Sequence, residues 1–296
     1  MATNPDILPP PTPLGPPPSA TPKPSISAEI NAATRKQHTE LNRLIIDRLP
    51  LGLPPTAKTP STYTLGLSAF AQIFFAFETA FTDLTTAEAA RDQQPSAAAS
   101  AYHAQELRKW LIRLRPEGLA RSESLSQDLK HLQGPALSQD ECAHIKRQVV
   151  DQYLAKPHVL VAYTWVMYMA IFSGGRWIRQ QLASAGPEFW SSTTDEKTTS
   201  LPGFSFLSFP SSDQDGEDIK AEYKTRLAEA ERLLTPAERQ DVVEAARLLF
   251  EQCIEIVHFL DREVAKQQEA RRPSLAVLAA VVAAVLLIYY VLTSGA

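Results

Sequence analysis

The chain has 296 residues but only 2 cysteines, Cys142 and Cys253. That is too few for a disulfide scaffold and fits a domain kept in a reduced, cytosolic compartment. It has no Walker-type phosphate loop, no dinucleotide fingerprint and no cysteine-rich metal spacing, which removes the common nucleotide-binding and structural-zinc classes. Positive charge is not in excess: the formal net charge is −4 and the pI about 5.9, so nucleic acid is not an expected partner. No charged-then-apolar opening looks like a secretory signal. Sustained alternation of apolar and polar residues between hairpin turns is also missing, so strands are not expected.

What is present divides the chain into three. Residues 1–25, MATNPDILPPPTPLGPPPSATPKPS, are rich in proline and small polar residues. They cannot build a core and are expected to be a disordered or polyproline-like arm. Residues 274–293, SLAVLAAVVAAVLLIYYVLT, carry no charge and match the roughly 20 residues needed to cross a hydrocarbon core. Arg271 and Arg272 precede this run and Tyr289-Tyr290 lie near its far side, as interfacial anchors do. The expectation is a C-terminal transmembrane helix that inserts as a tail anchor and leaves the basic pair and the domain facing the cytosol. Residues 26–270 remain for the folded part.

That middle region has helical spacing almost throughout. Ile30, Thr34, His38, Leu41 and Ile45 fall on one stripe, with Ser27 as the expected N-cap. Further helices are predicted over Tyr63–Phe81, 97–115, 119–132 and 138–155. Pro157 then opens a long apolar helix. A loop carrying Phe204, Phe206 and Phe209 leads to a helix over Glu217–Leu233. Thr235-Pro236-Ala237-Glu238 reads as an N-cap, a first-turn proline and a capping-box glutamate, opening a last helix that runs to about Gln268. The fold class is all-α, in a single domain.

Three features could carry chemistry. Glycine is sparse, 11 in the whole chain, yet Gly174 and Gly175 stand side by side in VLVAYTWVMYMAIFSGGRWIRQQ, residues 159–181. Each mid-helix glycine costs about 1 kcal/mol relative to alanine. Bare backbone there admits either a second helix or a flat ligand at close range. His38 sits on the apolar stripe of its helix, where an imidazole can ligate iron; a hydrogen-bonded core histidine is the ordinary alternative. His103, His131, His144, His158 and His258 also exist, so position alone does not select it. Lys220 and Lys224, spaced i and i+4, share one helix face and could pair with two carboxylates, or simply be solvated.

Their order along the chain resembles the haem oxygenases, and within them the fungal membrane-anchored branch. The resemblance covers most of residues 27–265 and the tail. It is carried by His38 in ATRKQHTE, by Ser173-Gly174-Gly175, by the phenylalanine-rich segment from Leu201-Pro202-Gly203 to Pro210, and by the stretch Thr235–Leu260. It implies that His38 is the metal ligand on the proximal side of a haem sandwich. Gly174, with Ala170 and Gly175 beside it, would form the catalytic distal side that leaves room for dioxygen. Lys220, Lys224 and Arg35 would hold the propionates, and Phe250 would wall the pocket. Haem would be both cofactor and substrate, cleaved to biliverdin, carbon monoxide and ferrous iron. Electrons would come from NADPH through a partner cytochrome reductase. The endoplasmic reticulum membrane is the expected location, ahead of the nuclear envelope and the mitochondrial outer membrane.

The chain also departs from the family pattern. Ala170 replaces a distal glycine, Asn31 replaces a basic residue on the first helix, and Ile171 stands where a distal aspartate would order water. Isoleucine cannot keep a carboxylate's water network. A non-catalytic haem-binding sensor or carrier is therefore the alternative reading. A tail-anchored helical adaptor without haem is a third, opposed by the Pro236 restart and the absence of long heptads.

Overall fold

Two long helices organise the chain, one buried all round and one acting as a backing rod. The computed structural model describes residues 23–91, 99–132, 134, 137–190 and 203–271. The proline arm through residue 22, residues 191–202 (with Leu201 and Pro202) and the apolar stretch from residue 272 onward lie outside these. Every regular element among the described residues is helical.

In chain order the helices are α1 (Ile26–Ala33), α2 (Arg35–Arg48), α3 (Ser61–Arg91), α4 (Ala99–Leu114), α5 (Ser122–Leu132) and α6 (Gln139–Ala155). They continue as α7 (Leu160–Ser173), α8 (Gly175–Ser184), α9 (Pro187–Trp190), α10 (Glu217–Ala230) and α11 (Pro236–Arg271). Short 3₁₀ turns at Leu49–Gly52, Pro157–Val159 and Ser205–Leu207 join them.

Helix α3 runs through the centre. Leu65, Ala69, Ile73, Phe74, Phe77, Ala80 and Phe81 are all buried, too many for one stripe, so the helix is enclosed rather than amphipathic. It is long and apolar enough to span a membrane, but 78% of that apolar window is inside the protein, which makes it the core helix. It packs on α4, α5, α6, α7 and α11. The spacing predicts an end near Phe81; the helix continues to Arg91 because the TTAEAA run holds good helix formers.

Helix α11 is the backing rod, and α1, α2, α3 and α7 all pack on it. Its start is the expected capping box: the Thr235 hydroxyl accepts from the Glu238 N–H at 3.2 Å, and Glu238 Oε2 accepts from the Thr235 N–H at 2.8 Å. The front of the chain is tied to this start. Arg239 donates to Glu29 at 2.8 Å and to the Pro24 carbonyl at 2.7 Å.

The first stripe is not one helix. Thr34 leaves helical geometry (φ −105°, ψ 6°), and its hydroxyl donates to the Ile30 carbonyl. The chain therefore steps from α1 to α2 there. Ser25, rather than Ser27, caps α1, accepting from the Ala28 N–H.

Candidate functional site

Helices α2 and α7 both pack on α11 and, among the described residues, do not pack closely on each other; the space between them, backed by α11, is the candidate cleft. Residue exposure marks its walls. His38 lies on the inward stripe of α2, between buried Thr34 and half-buried Leu41, yet it is itself exposed. Its ring stands edge-on to Phe250 of α11, with centroids 5.8 Å apart, and Phe250 is only 6% exposed. A side chain that faces a buried aromatic and still meets solvent must border open space.

The opposite wall is α7. Nearly all of this helix is buried, but Trp165, Met169, Ala170, Ser173 and Gly174 are partly or fully exposed. At steps of four, one, three and one they form a single stripe, which Trp177 of α8 extends at 40% exposure. At Gly174 the α7 axis turns by 46° into α8, a sharp bend at the kind of flexible pair that permits one.

The two glycines have different surroundings. Among the described residues, a Cβ added at Gly174 would come within 4 Å of the Ala170 carbonyl oxygen alone, at 3.3 Å. No second helix presses on it. A Cβ at Gly175 would meet Leu207 at 3.2 Å and Ile171 at 3.6 Å, and Gly175 is buried. Gly175 thus serves packing against the Ser205–Leu207 turn, whereas Gly174 faces the cleft.

The cationic residues stand along α10. Lys220 is half-buried, with its ammonium 6.0 Å over the Phe172 ring and 3.3 Å from Glu217. Lys224 is exposed, one turn on. Between them, Tyr223 is fully buried and donates to the Thr164 hydroxyl of α7 at 3.1 Å. Burial pushes its phenol pKa up, so it stays neutral. Trp165 stacks on Tyr223 with centroids 6.4 Å apart and donates its indole N–H to the Asn31 side chain of α1 at 2.9 Å. That bond joins the two sides near one end of the cleft. Arg35 is not brought into this group; it lines a separate outer groove with Lys36, Thr39, Glu40 and Arg43.

Two of the rival histidines, both on or beside α11, are engaged with carboxylates. His158 pairs with Asp241 at 3.1 Å near the start of α11, and His258 lies 4.0 Å from Asp261. Ile171 is buried and packs toward Gly175, so it offers the cleft no polar group. Behind α7 the carboxylate of Glu78 is already committed. Glu78 accepts from the Tyr168 hydroxyl at 2.9 Å and from the Arg121 and Ser122 N–H groups at 2.8 and 2.9 Å. It thereby caps α5 and has no spare contact toward the cleft.

Sequence reasoning missed Trp165, Met169 and Trp177. In a helix apolar all round, nothing in the sequence says which residues are left uncovered. It also missed Arg176 and Arg179, which tie α8 to the turn before α10: Arg179 meets both carboxylate oxygens of Asp215 at 2.9 and 2.6 Å.

Comparison with known proteins agrees with this architecture. The family described as Heme oxygenase matches residues 24–259. Heme-binding protein HMX1 of Saccharomyces cerevisiae is 25% identical over 252 residues, spanning 81% of this chain and 76% of that protein. Heme oxygenase-2 of Synechocystis, solved with heme and NO, superposes with a TM-score of 0.60 at 17% identity, over 82% of this chain and 88% of that one. The heme oxygenase of Leptospira interrogans gives 0.55 at 20% identity, over 79% and 98%. At these identities the structures speak to the fold, and the family match spans most of the sequence: the chain belongs to the haem oxygenase family.

Proposed function

We propose that the chain binds haem in the cleft between α2 and α7 and degrades it oxidatively to biliverdin, carbon monoxide and ferrous iron. The observation that carries this reading is that exposed His38 on α2 and the lightly crowded Gly174 at the end of α7 belong to two helices that share α11 as their backing. The donor set suits the group. A neutral imidazole is a ready iron ligand, two ammonium groups one turn apart match a pair of carboxylates, and bare backbone lets a flat macrocycle approach.

When bound, haem supplies the oxygen chemistry, with itself as the substrate. The chain's own residues orient and enclose it. His38 offers one ring nitrogen to the iron. Phe250 keeps the proximal side apolar behind that ring. Lys220 and Lys224 fix the carboxylate edge and so set which macrocycle edge faces α7. Ala170 and Gly174 keep the distal side clear of side-chain bulk. Arg35 would join the carboxylate set only by swinging in from its outer groove.

Electrons would reach the cleft from NADPH through a partner cytochrome reductase. We further propose that the apolar run at 274–293 anchors the chain in the endoplasmic reticulum membrane with the domain in the cytosol, which would confine both proteins to one surface.

A haem-binding sensor or carrier is the second reading. It is favoured by buried Ile171, which brings no carboxylate to the distal side. Adding haem, a reductase and NADPH to the purified chain separates the two. Loss of the Soret band with growth of a bilin spectrum supports the oxygenase; an unchanged haem spectrum under full electron supply overturns it in favour of the sensor.

A further inference from the structure

Glu217, at the start of α10, lies between two cationic systems. Toward the cleft edge, Lys220 Nζ is 3.3 Å from each of its carboxylate oxygens. Toward the bent helix α8, Arg176 Nη2 is 2.6 Å from its Oε1. Both cations hold the Glu217 carboxyl below its usual pKa, Arg176 more than Lys220.

The turn carrying Glu217 is held firmly. Asp215 adopts a left-handed conformation (φ 51°), as does Gly216 (φ 84°), which is costly for a non-glycine residue. The Asp215 carboxylate is gripped by both terminal nitrogens of Arg179. A Cβ at Gly216 would strike the Phe209 ring at 2.6 Å, and Phe209 is itself stacked on Phe172 at 4.8 Å. The backbone therefore has little freedom; Glu217 bridges Lys220 and Arg176 at once, and side-chain rotation is what could release one of them.

We propose that Glu217 is a positioning residue that shares Lys220 until a ligand carboxylate arrives, then yields Lys220 to it and stays on Arg176. The inference rests on the reading that the ligand is a porphyrin bearing carboxylates. Two carboxylates on one ammonium repel each other, and the contact that yields is the looser one. A charged N–H···O bond is normally about 2.7–2.9 Å, so 3.3 Å to Lys220 is weak beside 2.6 Å to Arg176. Arg176 is itself held by Asp215 at 3.3 Å, so the Glu217 carboxylate keeps a fixed partner after Lys220 is released.

The ion pairs are exposed, so the effect is modest, about two- to five-fold in affinity. The test titrates the full chain with haem and with haem dimethyl ester, whose carboxylates are blocked, in wild type, Glu217→Gln, Lys220→Gln and the double variant. Glu217→Gln should bind haem two- to five-fold more tightly, bind the ester unchanged, and lose its advantage in the Lys220→Gln background. Equal haem affinity in wild type and Glu217→Gln overturns this inference alone. No Soret change when haem meets the wild-type chain overturns the haem reading and this inference with it.

Discussion

His38 shows how a residue can sit on a core-facing stripe and still be wet. Its helix position points it at Phe250, but nothing covers its free edge. An exposed histidine contributes little to stability, so His38→Ala should leave the apo melting curve within about 0.5 kcal/mol of wild type. The same variant should lose the histidine–iron signature in the absorption and electron paramagnetic resonance spectra of the haem complex. A retained signature would pass the role to another imidazole. The glycine pair gives a sharper contrast. Gly174→Leu meets only the Ala170 carbonyl oxygen, at 3.3 Å, and gains helix propensity, so the apo domain should lose less than about 1 kcal/mol while haem binding is lost. Gly175→Leu pushes into Leu207 and should cost about 1–3 kcal/mol. Denaturant melts of both variants, with haem titrations, check the pair. Equal destabilisation would mean that Gly174 is also a packing glycine. The sequence marks the two glycines together but cannot separate them, because their difference lies in Leu207, a residue more than thirty positions away.

At the scale of elements, the strongly signalled boundaries were legible. The Ser138 capping box opens α6 and the Thr235 box opens α11, each through local chemistry written in four consecutive residues. Thr235→Ala should therefore cost about 1 kcal/mol, read as a lower denaturation midpoint with an unchanged slope. A wild-type midpoint would show that the Glu238–His103 contact holds the turn alone. The break at Thr34 was not legible, because the apolar stripe continues across it and only the change of direction onto α11 requires the step. The cleft lining of α7 was hidden for the opposite reason. In a helix of uniformly apolar residues the exposed side is set by what fails to pack there. The left-handed Asp215 was equally silent, since its conformation is held by Arg179 across space.

For the molecule as a whole, acid should act through carboxylates that join distant elements. Asp215 is held below the usual pKa by Arg179, and Asp241 by Lys156 and His158. Groups with a depressed folded pKa stabilise above the unfolded value, about 3.9 for aspartate, and that support is lost as pH falls through the folded value. Buried Asp128, which accepts from the Ser205 and Phe206 N–H groups, is shifted the other way by desolvation. It takes up a proton earlier in the fold than in the unfolded chain and partly offsets the loss. Melting temperature should thus stay level from pH 7 to about 5 and fall below about 4. Asp215→Asn should flatten that fall by about 2 °C or less, because the pair is partly exposed. An identical acid profile in circular dichroism melts would show that the Arg179 contact contributes nothing.

The tie between Glu29 and Arg239 carries a consequence for how the protein is made. The imidazole helix, α2, follows immediately after α1, whose docking surface is α11, some two hundred residues later. A nascent chain that has emerged only as far as α8 has both glycines and His38 in hand but no floor on which to align them. Contacts of such sequence separation form late. On the proposed reading, ligand capture would therefore wait until α11 has been made, and a ribosome halted short of α11 would leave a fragment holding His38 and both glycines without the helix that backs them.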